Sequence, residues 1–154
     1  MSGVDASLVD ARLVEIKRLL GEIERTTDLG VDTFLVDADV RDATKYRLLV
    51  AIEAAISVCN HIVTREMDEI PATYSECFAL LGRHGVVPED LAERLAQMAR
   101  FRNVLIHRYW KVDDRRVYEF KARNIQDLYQ FVEKVREHVH GTTGDSRAAE
   151  RDAH

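Results

Sequence analysis

Apolar residues recur at helical spacing along most of the chain, and this periodicity limits its possible folds more than any other feature. The most apolar stretch lies in a segment from about Val40 to Met67, where apolar side chains return every three or four residues. A helix of that length with a continuous apolar face must be covered by other helices. It is therefore predicted to be the central helix of a bundle, with a buried face formed by Leu48, Leu49, Ile52, Ile56, Cys59 and Val63.

Four further segments show the same spacing. An amphipathic helix is predicted from about Leu8 to Ile23, with charged side chains between its apolar residues. Two shorter helices begin at Pro71 and at Pro88, since proline is favoured in the first turn of a helix. A last helix is predicted from about Ile125 to Val139.

The segments between these helices lack a clear period. Residues 33–39 are predicted to be irregular, residues 111–117 to form a charged connector, and residues 141–154 to be a disordered tail. Only two prolines and seven glycines occur, and 46% of the residues are hydrophobic, which excludes a largely disordered chain and disfavours an all-β domain. The sequence predicts an all-α bundle of about five helices in residues 1–140.

No feature of the sequence indicates a metal, a cofactor or export. Cys59 and Cys77 lie on separate apolar stretches, without the close spacing of zinc or redox motifs, and are predicted to be reduced, buried thiols. The N-terminus lacks the basic and apolar regions of a secretory signal. The most apolar segment contains Glu53, Asn60 and His61, which disfavours a membrane span. A cytoplasmic protein is expected.

Charge is distributed unevenly along the chain. The whole chain has 22 basic and 27 acidic side chains, a net charge of −5. Residues 94–123 carry a net charge of +6, whereas the remainder carries −11. A basic segment on an acidic protein suits a polyanion bound at one place. A solvated stretch of paired charges would have the same composition, so both interpretations stay open.

The end of the predicted fourth helix combines two side chains suited to phosphodiester chemistry. Arg102 is a permanent cation with a fork of donors that matches phosphate, and His107 can move a proton near neutral pH. Five positions on a straight helix separate them by roughly 140° and about 7.5 Å along the axis. They converge only if the helix is distorted or two chains share the site. Their alternative roles are a surface ion pair for Arg102 and a helix cap for His107.

The wider pattern resembles the R-x4-H-x-Y signature of the HepT-like toxins, a group of HEPN-domain ribonucleases. The resemblance also includes the segments 71–81 and 85–95 and covers residues 8–139. It implies a HEPN bundle that acts as a homodimer, in which two Arg–His motifs meet in a shared cleft. The matching residues of the motif and its surroundings are Arg102, Asn103, His107, Tyr109, Trp110, Asp113 and Asp114.

The resemblance implies an activity and a partner. The activity is metal-independent RNA cleavage, in which the ribose 2′-hydroxyl attacks the adjacent phosphate. His107 would be the general base or acid, and Arg102 would stabilise developing charge. Asn103 would bind the phosphate or orient the pair, or be an ordinary polar helix residue. HepT-like toxins are paired with a minimal nucleotidyltransferase (MNT) antitoxin that transfers AMP to the motif tyrosine, here Tyr109. The added charge and bulk would block the cleft.

Weaker candidates surround this motif. Glu76 could face the cleft and orient His107, or be a solvated helix residue. Arg100, Arg108, Arg115 and Arg116 are candidates for contacts to the RNA backbone, with a solvated connector as the alternative for the last two.

Two other functions also fit the sequence. One is a non-catalytic HEPN subunit that binds a nucleotidyltransferase partner or a nucleotide, with Arg102 as a phosphate clamp only. The other is a plain helical interaction domain whose basic segment pairs with an acidic partner.

Overall fold

Six helices and no strand make up the part of the chain that the structure describes. The structure is a computed structural model that describes residues 3–108 and 111–152, with side chains up to residue 141 apart from Thr27. The predicted all-α bundle is confirmed, with one helix more than the sequence indicated. The helices in chain order are α1 (Ala6–Thr27), α2 (Gly30–Val36), α3 (Ala38–Glu66), α4 (Tyr74–Arg83), α5 (Glu89–His107) and α6 (Asp114–Asp152).

α3 is the central helix, as predicted, and contacts each of the other five helices. Leu48, Ile52, Cys59 and Val63 are fully buried, whereas Leu49 is partly exposed. By length and composition α3 is also apolar enough to cross a membrane, but more than half of the relevant stretch is buried inside the bundle. Burial of this kind is what a core helix needs, and it removes the apolar surface from water.

The two cysteines are buried free thiols, as predicted. The Cys59 thiol lies on α3 and donates to Sγ of Cys77 on α4 at 2.7 Å, and the Cys77 thiol donates to Oδ1 of Asn60 at 3.4 Å. Burial, followed by the contact with Cys77, raises the pKa of the Cys59 thiol well above its ordinary value. A protonated, buried thiol is a poor nucleophile, so this pair contributes packing.

Residues 33–39 were predicted to be irregular, but most of them belong to the short helix α2. Phe34 anchors this helix, because its side chain is 2% exposed and its ring centroid lies 5.3 Å from that of Tyr118 on α6. Asp37 ends α2 and also caps α3, where its carboxylate accepts the N–H groups of Asp39 and Val40. A helix of seven residues with one buried side chain has no apolar period to detect, which explains the wrong prediction.

α6 begins at Asp114 rather than near Ile125, so residues 114–117 of the predicted charged connector form the first turn of this helix. Asp113 caps it, since Oδ1 accepts the N–H of Arg115 at 3.0 Å. Val117, in this first turn, is fully buried. Charged side chains on the exposed face concealed the apolar period at this end of the helix.

The C-terminal end of α6 also differs from the prediction. Its apolar face is packed as far as Val139, which is 7% exposed, and His140 contacts Asp10 of α1 at 2.9 Å. The backbone of residues 141–152 is described as helix, although a disordered tail was predicted. The division of the chain into a domain of residues 1–140 and a tail stays a prediction.

Gly82 provides a test of how closely α4 and α5 pack. A Cβ atom at Gly82 would lie 2.6 Å from Cβ of Ala92. We therefore expect Gly82→Ala to lower the free energy of unfolding by about 1–3 kcal/mol through overpacking. The matched control is Gly21→Ala within α1, where a Cβ meets no atom within 4 Å and where alanine should stabilise the helix by roughly 0.5–1 kcal/mol. Urea unfolding measures both, and stabilisation by both variants would contradict the close packing.

Candidate active site

Arg102 lies where three helices meet. Its side chain, on α5, is 17% exposed, and its Nε donates to the carboxylate of Glu53 on α3. Nη1 donates to Oδ1 of the neighbouring Asn103 at 3.1 Å. The guanidinium carbon lies 5.1 Å from the ring centroid of Tyr74, at the start of α4 and within the range of cation–π attraction. These contacts hold the guanidinium in one place.

The Arg102 guanidinium retains donors for a ligand. Arginine has five N–H donors, and the described contacts to Glu53 and Asn103 use two of them. The remaining donors have no acceptor among the described residues. Because the side chain is partly exposed, an anion can reach these donors. A fixed and partly desolvated cation stabilises charge on a phosphate better than a fully solvated one.

His107 is the last residue of α5 and is exposed to solvent. The helix is continuous up to it, and the N–H of Arg108 closes the last turn on the carbonyl oxygen of Val104 at 2.9 Å. An unbroken helix separates Arg102 and His107 by roughly 140° and about 7.5 Å along the axis. A continuous helix does not bring the two side chains together within one protomer, so the structure does not support a distorted helix, and a site shared by two chains stays a prediction.

Some cations of the basic segment, residues 94–123, are exposed, and others contact side chains within the protein. Arg94 is paired with Asp127 at 2.8 Å and with Asp90 at 3.2 Å. Lys121 is fully buried, with Nζ 3.8 Å from the ring centroid of Tyr118, and burial lowers its pKa to about 8. The exposed cations make no ion pair with the described residues. They are Arg100, Arg108, Lys111, Arg115, Arg116 and Arg123.

Glu76 has a structural role in α4. The hydroxyl of Thr73 accepts the N–H of Glu76 at 3.1 Å, and the Glu76 carboxylate accepts the N–H of Ala72 at 2.7 Å. This reciprocal pair resembles a capping box, which satisfies the free N–H groups of the first helical turn. The geometry favours capping over orientation of His107. Tyr109, the predicted AMP acceptor, lies with Trp110 outside the described residues.

Glu53 is the site residue that sequence reasoning missed, because it was taken only as a polar interruption of an apolar helix. One signal was available. The positions three and four residues away hold Leu49, Val50, Ile56 and Ser57, so Glu53 has no partner of opposite charge on its own helix. A carboxylate in that position needs a cation from another helix, which only the tertiary structure supplies.

Comparison with known proteins identifies the family. A profile described as "Ribonuclease HepT-like" matches residues 16–135, which include Arg102 and His107. The chain belongs to the HepT-like ribonuclease family. As a member of this family it is an endoribonuclease.

Two curated relatives cover nearly the whole chain. A tRNA nuclease HepT of Aphanizomenon flos-aquae is 23% identical over 139 residues, 90% of this chain and 95% of the relative. An mRNA nuclease HepT of Shewanella oneidensis is 25% identical over 125 residues, 81% of this chain and 93% of the relative. Among solved structures, the fold is similar to that of a tri-AMPylated Shewanella oneidensis HEPN toxin in complex with an MNT antitoxin. The TM-score is 0.77 at 24% identity, over 85% of this chain and 98% of the other.

The contact with Glu53 predicts a change in ribonuclease activity. We expect Glu53→Gln to lower RNA cleavage by roughly tenfold, because the guanidinium of Arg102 loses the charged partner that orients it. The free energy of unfolding should change by less than about 1 kcal/mol, because the Glu53 side chain is 41% exposed. Cleavage kinetics and urea unfolding measure the two effects.

The matched control is Glu22→Gln. Glu22 also pairs with an arginine on another helix, Arg47, at 3.3 Å, but it lies away from the motif. Cleavage should be unchanged in this variant. Equal cleavage by both variants would show that Glu53 does not position Arg102 for catalysis.

Proposed function

We propose that this chain is the toxin of a HEPN/MNT toxin–antitoxin pair, a cytoplasmic, metal-independent endoribonuclease that acts as a homodimer. The observation that carries the proposal is the arrangement of α5. Arg102 is held in place with free donors, and His107 is exposed at the helix end, but the two face different directions. One phosphate can contact both kinds of side chain only if a second protomer contributes. The similar Shewanella toxin forms a complex with an MNT antitoxin, which supports the same type of partner here.

Exposed apolar side chains beside Arg102 support the homodimer. Ile106 is 40% exposed and lies one turn beyond Arg102 on α5, and Tyr74, whose ring contacts Arg102, is 38% exposed. A two-fold axis at this surface would bury both side chains and bring the two copies of α5 side by side. The exposed imidazoles at the ends of these helices would then share one cleft.

The proposed reaction divides proton transfer between two histidines. The 2′-oxygen forms a bond to phosphorus as His107 of one protomer removes its proton. The bond from phosphorus to the 5′-oxygen breaks, and the second His107 protonates this leaving group. The products are a 2′,3′-cyclic phosphate and a 5′-hydroxyl. Arg102 stabilises the charge that develops on the non-bridging oxygens. DNA lacks the 2′-hydroxyl and is not cleaved.

Replacement of His107 tests the catalytic assignment. We expect His107→Ala to lower RNA cleavage by about 10²–10⁴-fold, the usual contribution of a general acid or base. Thermal stability should be nearly unchanged because the side chain is exposed. The control is His84→Ala, which removes another histidine, one whose side chain is 44% exposed. On expression without a partner, only the wild type and the control should arrest growth and fragment RNA. Intact RNA in the wild type, with the unmodified mass confirmed, would favour a non-catalytic binding subunit.

Subunit mixing tests whether the two motifs share a site. Wild type and His107→Ala are mixed in equal amounts and allowed to exchange subunits. Activity per total protein should then fall to about a quarter of the wild-type value, because only the quarter of dimers with two wild-type subunits hold both histidines. Independent sites would retain about half of the activity and would contradict the shared site.

Tyr109 is the proposed AMP acceptor, because it follows His107 by two positions in the motif and because the Shewanella toxin is tri-AMPylated. Incubation with the antitoxin and ATP should raise the mass of the wild type by whole AMP units and abolish cleavage. Tyr109→Phe should gain no mass and escape neutralisation. Tyr46→Phe removes another tyrosine, one that is 66% exposed, and should behave as the wild type. Neutralisation of Tyr109→Phe would assign the modification elsewhere.

A further inference from the structure

A groove lies between α5 and α6, on a different face of α5 from Arg102. It consists of two adjoining cavities of about 610 and 220 Å³ that share Gln97, Phe120 and Arg123 as lining residues. The proposed cleavage reaction assigns no role to it. Its lining combines cations, side-chain amides and an aromatic ring, which are the groups that proteins use to bind single-stranded nucleic acid.

The groove carries excess positive charge. Arg100, Arg116 and Arg123 line it, are exposed, and make no ion pair with the described residues. Arg116 and Arg123 are seven residues apart and therefore lie on one face of α6, about 10.5 Å apart along its axis. The acidic lining residue Asp127 is neutralised by Arg94. The groove therefore presents two cations on α6 and one on α5 to a polyanion.

Asn124 supplies an unused hydrogen-bond donor in the same groove. Asn124 lines the larger cavity and is 3% exposed, yet its Nδ2 has no acceptor among the described residues. Leaving a buried donor unpaired is unfavourable, so a ligand that supplies an acceptor is favoured at this position. The carbonyl oxygens and ring nitrogens of nucleobases are acceptors of this kind.

Phe120 lies within a layered stack. The Phe101 ring stacks on it, with centroids 4.3 Å apart and planes at 8°, and the Arg116 guanidinium lies over the Phe120 ring, 5.4 Å from its centroid. A guanidinium on an aromatic ring extends a flat surface on which a base can stack. An acidic peptide would satisfy the three arginines, but it would not use this flat surface. These features favour RNA as the ligand.

The direction of α5 connects the groove to the catalytic residue. Arg100 and His107 are seven residues apart on an unbroken helix, which places them within about 20° of one face and about 10.5 Å apart along the axis. Gln97 and Val104 lie along the same face and line the groove. An RNA strand bound along this face of α5 therefore extends towards His107.

We propose that the groove between α5 and α6 binds a single-stranded RNA segment next to the scissile phosphate, with arginines on its phosphates and the Asn124 amide donating to a base. The proposal rests on the ribonuclease activity proposed above. It makes the groove the part of the protein that selects which RNA sequence is cut, whereas the Arg102–His107 motif performs the cleavage.

Salt-dependent binding tests the phosphate contacts. A single-stranded oligoribonucleotide is titrated against the full chain carrying His107→Ala, with and without Arg100→Gln/Arg123→Gln. Loss of two phosphate contacts should weaken binding at least tenfold at low salt and reduce the slope of log K against log salt by about 1.4. The matched control is Arg83→Gln/Arg136→Gln, which changes the net charge equally at exposed positions outside the groove and should leave the slope unchanged.

Asn124→Leu tests base recognition. Leucine has a similar shape and removes the unpaired donor, so thermal stability should stay the same or rise. The variant should still cleave RNA, but at a different distribution of sites, as read by sequencing of the 5′-hydroxyl ends. If Asn124 has a purely structural role, Asn124→Leu should instead lower thermal stability and leave the cleavage sites unchanged.

The outcomes separate this inference from the proposed function. If wild type cleaves RNA and the groove variants bind and cut as it does, the groove proposal is wrong and the ribonuclease assignment stands. If wild type neither binds nor cleaves RNA, the proposed function is overturned, and the groove proposal that rests on it is overturned as well. If Arg100→Gln/Arg123→Gln loses affinity for the antitoxin but not for RNA, the groove is a protein-docking surface and the RNA proposal is overturned.

Discussion

The unbroken course of α5 is the constraint on which the candidate site depends. A helix that stays regular up to His107 sets its side chains on fixed faces, and rotation of side chains cannot bring groups that lie roughly 140° apart around one phosphate. Arg102 contacts Glu53 on α3 and Tyr74 on α4, whereas Arg100 lines the groove beside α6. Because the helix is regular, the surface around the exposed Ile106 and the basic groove lie on different faces of α5. One helix therefore contributes to both the proposed dimer contact and the proposed RNA-binding groove.

The Arg102–Glu53 pair explains how α5 keeps a cation at a junction of three helices. The partly desolvated guanidinium is oriented by a carboxylate and a side-chain amide, which Glu53 and Asn103 supply. Asp114 has a comparable place at the start of α6, where it contacts Arg41 at 3.2 Å and Lys45 at 2.6 Å. The acidic residues of the chain thus neutralise some cations, while those along the groove stay available. The net negative charge of the whole protein therefore does not conflict with local binding of RNA.

Much of the bundle could be predicted because its long helices are amphipathic and its helix starts are marked. The buried face of α3 follows from apolar spacing, and proline marks the approach to α4 and α5. The errors have local causes. α2 carries one buried side chain, too few to show a period, and the first turns of α6 alternate buried residues such as Val117 with a dense run of charges. Apolar periodicity is a reliable sign only over several turns.

By itself, the sequence determined the helical class and the central helix, because spacing along one chain sets which side chains share a helix face, and it contains the motif to which we assign the proposed chemistry. It also determined that Arg102 and His107 cannot meet on a straight helix. Only the tertiary structure decided that α5 is straight at that point, that Glu53 holds Arg102, and that Asn124 lies buried in the groove with an unused donor. Those facts depend on contacts between residues far apart in sequence. No local pattern encodes such contacts, because packing between helices selects them.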